Sequence, residues 1–347
     1  MGQHSFDGLA IVPGPNMEYL TGSKFHLSER PVVLFIEKGN STFILPELES
    51  PKISNLGFDF ITYNDQEGYE SAFSKFNHKI KKLGVESRLI RHIELDIINA
   101  KDISKDINDA TDIFATLRMP KSSTELELMA EAVSIAEMSI MSILDKIKPG
   151  VTEKEFASEL VIQLLRNGSL SDLPFSPIVA SGVNAANPHH YPGDKKFEEN
   201  ELIIIDWGAN YKGYFSDITR TFALGSTIDS KLLEAYNAVK SANESARNIA
   251  KVGVKAGDVD SAARKIIEDA GFGQYFTHRT GHGLGLEIHE EPYIKPDSSF
   301  VLQKGMTFTI EPGIYIPDLG GIRIEDDVYL SESDSQSLTS LPRSLQY

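Results

Sequence analysis

The chain has 347 residues, 41% of them hydrophobic and 24% charged, with a formal net charge of −16 from 34 basic and 50 acidic residues. That length and balance describe an ordinary globular protein with room for two domains and sizeable cores, and the acidity disfavours nucleic acid or an anionic membrane as partner. The lack of any cysteine removes disulfides, thiolate metal sites and a cysteine nucleophile from consideration.

The opening MGQHSFDGLAIVPGP has no basic stretch leading into an apolar one, so no signal peptide is visible, and Phe6 stands where a myristoylation motif needs Ser or Thr. No apolar run approaches the ~20 residues that span a bilayer. A cytoplasmic protein without membrane association is expected. Residues 1–117 read as a self-contained α/β unit. Leu9–Val12, Val32–Ile36 and Thr42–Leu45 are short β-rich runs between Pro, Gly, Asn and Ser breaks. The spacing predicts a helix over Phe73–Leu83 capped at Gly84, then a strand over Val85–Leu89. His4, His26, His78 and His92 are scattered through this unit without a chemical cluster.

The texture changes near residue 118, and 118–347 reads as a second domain. Ser122 and Glu125 form a candidate capping box for a long helix that stops at Pro149-Gly150, and Thr152 with Glu155 does the same for a helix ending at Gly168. Leu232–Val252 and Val259–Ala270 repeat the pattern, ending at Gly253 and Gly271. Gly150 and Gly253, like Gly168 and Gly271, are 103 residues apart, which suggests a duplicated helix–helix–strand unit with a site in the crevice between its halves. The strand pattern Ile322–Leu330 follows a turn at 318–321, and the polar tail after Ser331 is expected to close on the surface.

Chemistry concentrates in four stretches. In ELIIIDWGANYKGYFSDITRTFALG an apolar strand ends in Asp206 and a second strand carries Asp217. A hairpin closing between Tyr211 and Lys212 sets these two acids opposite each other, roughly 5 Å apart. For this hairpin alone, two unrelated solvated acids flanking a turn are an equal reading. Glu311 in MTFTIEPG and Glu325 in GIRIEDDV form a second such pair about position 318. Five of the nine histidines lie between 189 and 289, and His282 sits between Gly281 and Gly283, which permit close backbone approach. Four carboxylates and an imidazole suit a pair of divalent cations, with Mn²⁺, Co²⁺, Fe²⁺ and Zn²⁺ all compatible.

IIIDWGANYKGYFSDITRTF, TGHGLGLEIHE, FTIEPGIY and GIRIEDD, in this order and spacing, resemble the proline-specific metallopeptidases of the pita-bread fold, prolidase and aminopeptidase P, relatives of methionine aminopeptidase and creatinase. NMEYLTG at 16–22 is similar to the N-terminal domain of the prolidase branch. The resemblance implies an α+β chain with a pseudo-twofold C-terminal pita-bread domain and a smaller N-terminal α/β domain. It implies Asp206, Asp217, His282, Glu311 and Glu325 as ligands of two divalent ions per subunit, Mn²⁺ or Co²⁺ foremost, with Asp217 and Glu325 bridging. Glu311, His189 and His289 become catalytic candidates. His189, His278, His289 and Arg323 become substrate-pocket residues, and His189 is preferred to His190 because it lies 17 residues before Asp206. The implied activity is hydrolysis of Xaa-Pro dipeptides by a homodimer. Aminopeptidase P action on longer peptides is the alternative, and retention of all five ligands speaks against a non-catalytic binding protein on the same fold.

Overall fold

Short apolar runs punctuated by Pro, Gly and Asn make the first part of the chain a sheet with helices between its strands. The computed structural model describes residues 6–332 and 334–345, which leaves His4 outside, and the chain divides between Arg118 and Met119 into two compact units. In the first unit β1 (Gly8–Ile11), β2 (Val33–Glu37), β3 (Asn40–Pro46), β4 (Asp59–Tyr63), β5 (Lys82–Val85) and β6 (Asp106–Asp109) form one sheet in the order β4-β3-β2-β1-β5-β6. Helices α1 (Pro15–Thr21), α2 (Tyr69–Lys75), α3 (His92–Ala100) and α4 (Thr111–Arg118) connect the strands. Alternate side chains of β2 feed different cores: Val33 and Phe35 pack with Phe73 and Ile98, and Leu34 packs with Phe43 and Phe114.

Two expectations fail here. The helix over Phe73–Leu83 ends at Lys75, because Phe76 leaves the helical path to stack on Phe35 with ring centroids 4.5 Å apart. Gly84 is no cap. It lies inside β5, where a Cβ would come within 2.7 Å of Leu9 Cδ2. The strand expected over Val85–Leu89 therefore ends where it was meant to begin, and Glu86 turns inward to accept hydrogen bonds from Val12 N and Asn16 Nδ2.

The second unit is built twice. Helices α5 (Ser123–Met141) and α6 (Glu153–Arg166) start at capping boxes in which Ser122 and Thr152 exchange hydrogen bonds with Glu125 and Glu155. They precede β7 (Ile178–Ser181), β8 (Glu201–Trp207), β9 (Asn210–Tyr211), β10 (Tyr214–Phe215) and β11 (Ile218–Leu224). Helices α7 (Ser230–Ile249) and α8 (Ala256–Asp269) then precede β12 (Gly281–Gly283), β13 (Glu290–Ile294), β14 (Thr307–Ile310), β15 (Gly313–Ile316), β16 (Gly320–Arg323), β17 (Asp326–Leu330) and β18 (Ser335–Ser337). The adjacency β7-β8-β11 in one sheet is matched by β12-β14-β17 in the other. Helix α8 begins and ends 103 residues after α6, at the offset of the glycine pairs. The two halves meet at a bridge between Thr219 and Glu325.

The tail keeps to the surface for most of its length, as expected, but not throughout. It pairs with β17 through β18, and Thr339 and Leu341 are buried beyond it. Its polar groups are drawn inward by the buried Asp326, which Thr339 and Arg343 reach at 2.8 and 2.7 Å. Among the described residues no helix is long and apolar enough to cross a membrane.

The first half-core gathers Phe156, Phe197, Ile203, Ile205 and Trp207. Phe156→Ala should lower the unfolding free energy by about 3–5 kcal/mol, since it removes a fully buried ring and leaves a cavity. A denaturant titration showing a loss below about 1 kcal/mol would contradict this packing.

Candidate metal centre

The first acidic pair stands on the hairpin of β8 and β11, but not in the predicted register. The turn closes between Lys212 and Gly213, both at positive φ (51° and 90°), and Tyr211 pairs with Tyr214. Two consecutive positive-φ residues make the tight turn whose twist suits a two-residue hairpin. Asp206 consequently faces Thr219, and Asp217 lies two residues nearer the turn. Period-two alternation still puts both carboxylates on one face, as diagonal neighbours rather than a direct pair.

The second pair keeps its predicted register. Gly313 pairs with Arg323 and Ile310 with Asp326, so Glu311 and Glu325 stand opposite each other where the strands break. His282 enters from β12, the strand between β13 and β14. The glycines beside it serve close packing against those neighbours: a Cβ on Gly281 would lie 1.9 Å from Thr309 O, and one on Gly283 would lie 2.3 Å from Glu291 O.

These elements converge on one cluster. Asp217, His282 and Glu325 are buried and each offers a ligand atom within 4.8 Å of the others. His282 Nε2 lies 3.6 Å from Asp217 Oδ2 and 3.3 Å from Glu311 Oε1. Asp206 Oδ2 accepts a hydrogen bond from Arg323 Nη2 at 2.7 Å, while its Oδ1 is buried without a partner. Burial, reinforced by Glu325 and Asp206, raises the Asp217 carboxyl well above the usual carboxylate range. Burial and then Glu311 do the same to Glu325. Glu311 is pushed up to about 7 by burial first and, against the pull of Arg323, by Asp206. Burial holds the His282 imidazole neutral, and His289 and Arg279 add to that effect. Crowded buried carboxylates, an orphaned oxygen and a neutral imidazole together make a donor set that fits divalent cations.

The cluster opens onto a cavity of about 670 Å³, lined also by His189, His190, His278, His289, Arg279 and Tyr315. His190 turns its ring to the buried Glu153, with Nε2 2.8 Å from Oε2, whereas His189 is fixed through its backbone N–H to Asn187 Oδ1. The His289 ring stands edge-on to His282, centroids 4.3 Å apart. Burial lowers His278 to about 4, so its ring is neutral. Its Nδ1 lies 2.7 Å from the Arg279 carbonyl and must carry the proton, so Nε2 accepts from the Tyr315 hydroxyl at 2.9 Å. Tyr315 in turn accepts from Arg323 Nη1 at 2.9 Å. Arg323 is thereby held by Tyr315, Asp206 and Thr219 together.

Behind the cluster, Asp327 Oδ2 accepts the Asp217 backbone N–H at 3.0 Å. Asp326 is held below the usual carboxylate range because Arg220 and Arg343 outweigh its burial. Sequence reasoning singled out neither these acids nor Arg279 and Tyr315. A basic residue three positions before His282 was the available sign for Arg279; Tyr315 left none, because an aromatic residue in a strand is ordinary core.

His278 yields a pH dependence. Its folded value of about 4 lies below the ordinary 6.5, so it contributes stability above pH 6.5 that is lost as pH falls toward 4. Thermal unfolding of His278→Gln should therefore decline less than wild type across that window. Equal slopes would show that the imidazole is not held neutral.

Residues 127–332 match metallopeptidase family M24, and residues 1–120 match the creatinase/prolidase N-terminal domain. The chain is 36% identical to an Xaa-Pro dipeptidase of Pyrococcus horikoshii, covering 99% of this chain and 96% of that one. It superposes on the prolidase from Pyrococcus furiosus with a TM-score of 0.89 at 34% identity, over 99% and 98% of the two chains. It also superposes on an X-Pro aminopeptidase from Thermotoga maritima with a TM-score of 0.85 at 31% identity, over 98% and 97%. The α+β architecture expected from the motifs, a pita-bread domain with a smaller N-terminal domain, is that of these structures. The chain belongs to metallopeptidase family M24 and carries the creatinase/prolidase N-terminal domain.

Proposed function

We propose that the protein is an Xaa-Pro dipeptidase whose two divalent ions are held by Asp206, Asp217, His282, Glu311 and Glu325. The observation that carries this reading is the convergence of four carboxylates and a neutral imidazole at the wall of a single cavity. Alignment with an Xaa-Pro dipeptidase over nearly the whole of both chains supports the substrate class. The reading divides the chain into an N-terminal domain at 1–117 and a catalytic domain at 118–347. It includes Mn²⁺ or Co²⁺ as the working ions, with Zn²⁺ or Fe²⁺ also compatible with the donors, and a cytoplasmic homodimer.

When bound, the ions supply Lewis-acid charge and lower the pKa of water. The protein's own groups do the rest. Asp217 and Glu325 would hold both ions, with Asp206, His282 and Glu311 completing the donor set. Glu311 accepts a proton from the attacking water and returns it to the prolyl nitrogen, which has no N–H of its own in the peptide. His289 and His189 donate N–H bonds to the carbonyl oxygen as it gains charge. His278, with both ring nitrogens committed, orients Tyr315 and Arg323 at the cavity wall. Arg323 holds Asp206 in place with a charge-assisted bond.

Metal-loaded protein should release proline from Leu-Pro or Met-Pro, lose activity to a chelator and regain it with Mn²⁺ or Co²⁺. Proline-releasing assays run beside Xaa-Pro-Xaa peptides separate this from an aminopeptidase P activity. No turnover of any Xaa-Pro dipeptide would remove the reading. Asp217→Ala should release both ions and reduce turnover by at least about 1000-fold, a loss of about 4 kcal/mol in transition-state stabilisation. Elemental analysis finding two ions still bound to that variant would refute the bridging role.

A further inference from the structure

His189 lines the cavity and is exposed, and its ring forms no hydrogen bond or ion pair with any described residue. Its position is therefore set by the backbone beneath it. That backbone is neither helix nor strand from Asn187 to Gly193. His189 N donates to Asn187 Oδ1 at 3.1 Å and His190 N to the Asn187 carbonyl at 3.2 Å, but these bonds stay within the segment. The outward contact of Pro188, from its carbonyl to Arg323 Nη1, is long at 3.5 Å.

The firm tie is Glu153, the first residue of α6, whose side chain is fully buried. Its Oε1 accepts from Ser181 N at 2.8 Å, Ser181 Oγ at 3.0 Å and Asn184 Nδ2 at 3.1 Å. Its Oε2 accepts from His190 Nε2 at 2.8 Å and Gly193 N at 3.2 Å. One carboxylate thus grips the chain where it leaves β7, in the middle beside His189, and at Gly193. Burial favours the neutral acid, but the Ser181 N–H and His190 outweigh it and hold Glu153 below its usual range. The ionised group accepts on every side, so His190 Nε2 carries a proton. The position 103 residues on, at the start of α8, is Ala256. A second helix starts in this frame without the acid, so Glu153 serves the segment it grips rather than the helix it begins.

We propose that Glu153 is a positioning residue: through His190 and Gly193 it holds the His189 ring where the substrate's carbonyl oxygen gains charge. The inference rests on the Xaa-Pro reading and on the part His189 plays in it. A Gln at 153 can accept at one end of the segment only, since its amide group must face either the Ser181 or the Gly193 N–H.

The test is a double-mutant cycle on Leu-Pro turnover by metal-loaded protein, with Glu153→Gln, His189→Ala and the two combined, and with metal content and thermal unfolding measured for each. His189→Ala should lower kcat about 100-fold, the worth of one donor to the developing oxyanion. Glu153→Gln should lower kcat by about 10- to 100-fold with two ions still bound, as displacement of a catalytic group by about 1 Å does. Its KM should move by less than about threefold, because the lost interaction belongs to the transition state. The combined variant should be no slower than His189→Ala, since nothing is left to position. If Glu153→Gln does not fold, His190→Ala takes its place in the cycle. It removes one grip from a half-buried ring, should lower kcat about 3- to 10-fold, the worth of one hydrogen bond, and should cost nothing further beside His189→Ala. Losses that multiply in the combined variant overturn the inference, because Glu153 then acts apart from His189. Unchanged turnover in Glu153→Gln or His189→Ala, a loss of bound metal, or a change confined to KM overturns it as well. Wild type that cleaves no Xaa-Pro dipeptide removes the Xaa-Pro reading and this inference with it, an outcome distinct from active wild type with multiplying losses.

Discussion

Mutual repulsion among Asp206, Asp217, Glu311 and Glu325 is the constraint on which the second unit depends. Four carboxylates gathered in a buried space cannot all ionise without positive charge among them. Burial first, and the neighbouring carboxylates after it, raise Asp217, Glu325 and Glu311 above their ordinary range in the protein alone. Divalent cations reverse its sign: the same crowding then becomes ligation. The surrounding structure is arranged to keep these groups in place despite their repulsion. Two hairpins supply rigid strands, glycines beside His282 let three strands pack closely, and Arg323 fixes Asp206 from the side.

Duplication explains how so dense a site arises from a simple chain. Each half contributes one acid at the end of a central strand, Asp206 near the end of β8 and Glu311 just after β14, and one just before that strand's partner, Asp217 before β11 and Glu325 before β17. The halves are not equal. His282 on β12 has an apolar residue, Val179 on β7, at the corresponding offset. The imidazole thus belongs to one half only, and the cavity's chemistry is lopsided although its frame is nearly symmetric.

Much of this was legible in the chain. Caps at Ser122 and Thr152 and the recurring glycines are local signals: they mark where α5 and α6 begin and the end of α6 close to Gly168, but α5 stops at Met141, well short of Pro149-Gly150, and only a short 3-10 turn at Leu144–Lys146 follows. The register of the Glu311–Glu325 hairpin could be read because its turn sits symmetrically about Asp318. The other register could not: Lys212 adopts positive φ, a choice that nothing in a lysine announces. Gly84 misled for the opposite reason, since its lack of a side chain serves a close approach to Leu9 rather than a helix end. The uses of Arg279, Tyr315 and Asp326 depend on neighbours far along the chain, which local pattern does not encode.

The buried Asp326 behind the cluster is held by Arg220, Asn243, Thr339 and Arg343, and Arg220 also binds the carbonyls of Leu341 and Pro342. Asp326 directly follows a candidate ligand in sequence, and Arg220 directly follows the strand residue that bridges to it. These contacts give the fold an order in time. On the ribosome all five candidate ligands emerge before residues 339–343, so the lattice backing them closes only once the tail has been made. A nascent chain that has exposed every ligand still lacks the buttress that sets their spacing until residues 339–343 have followed.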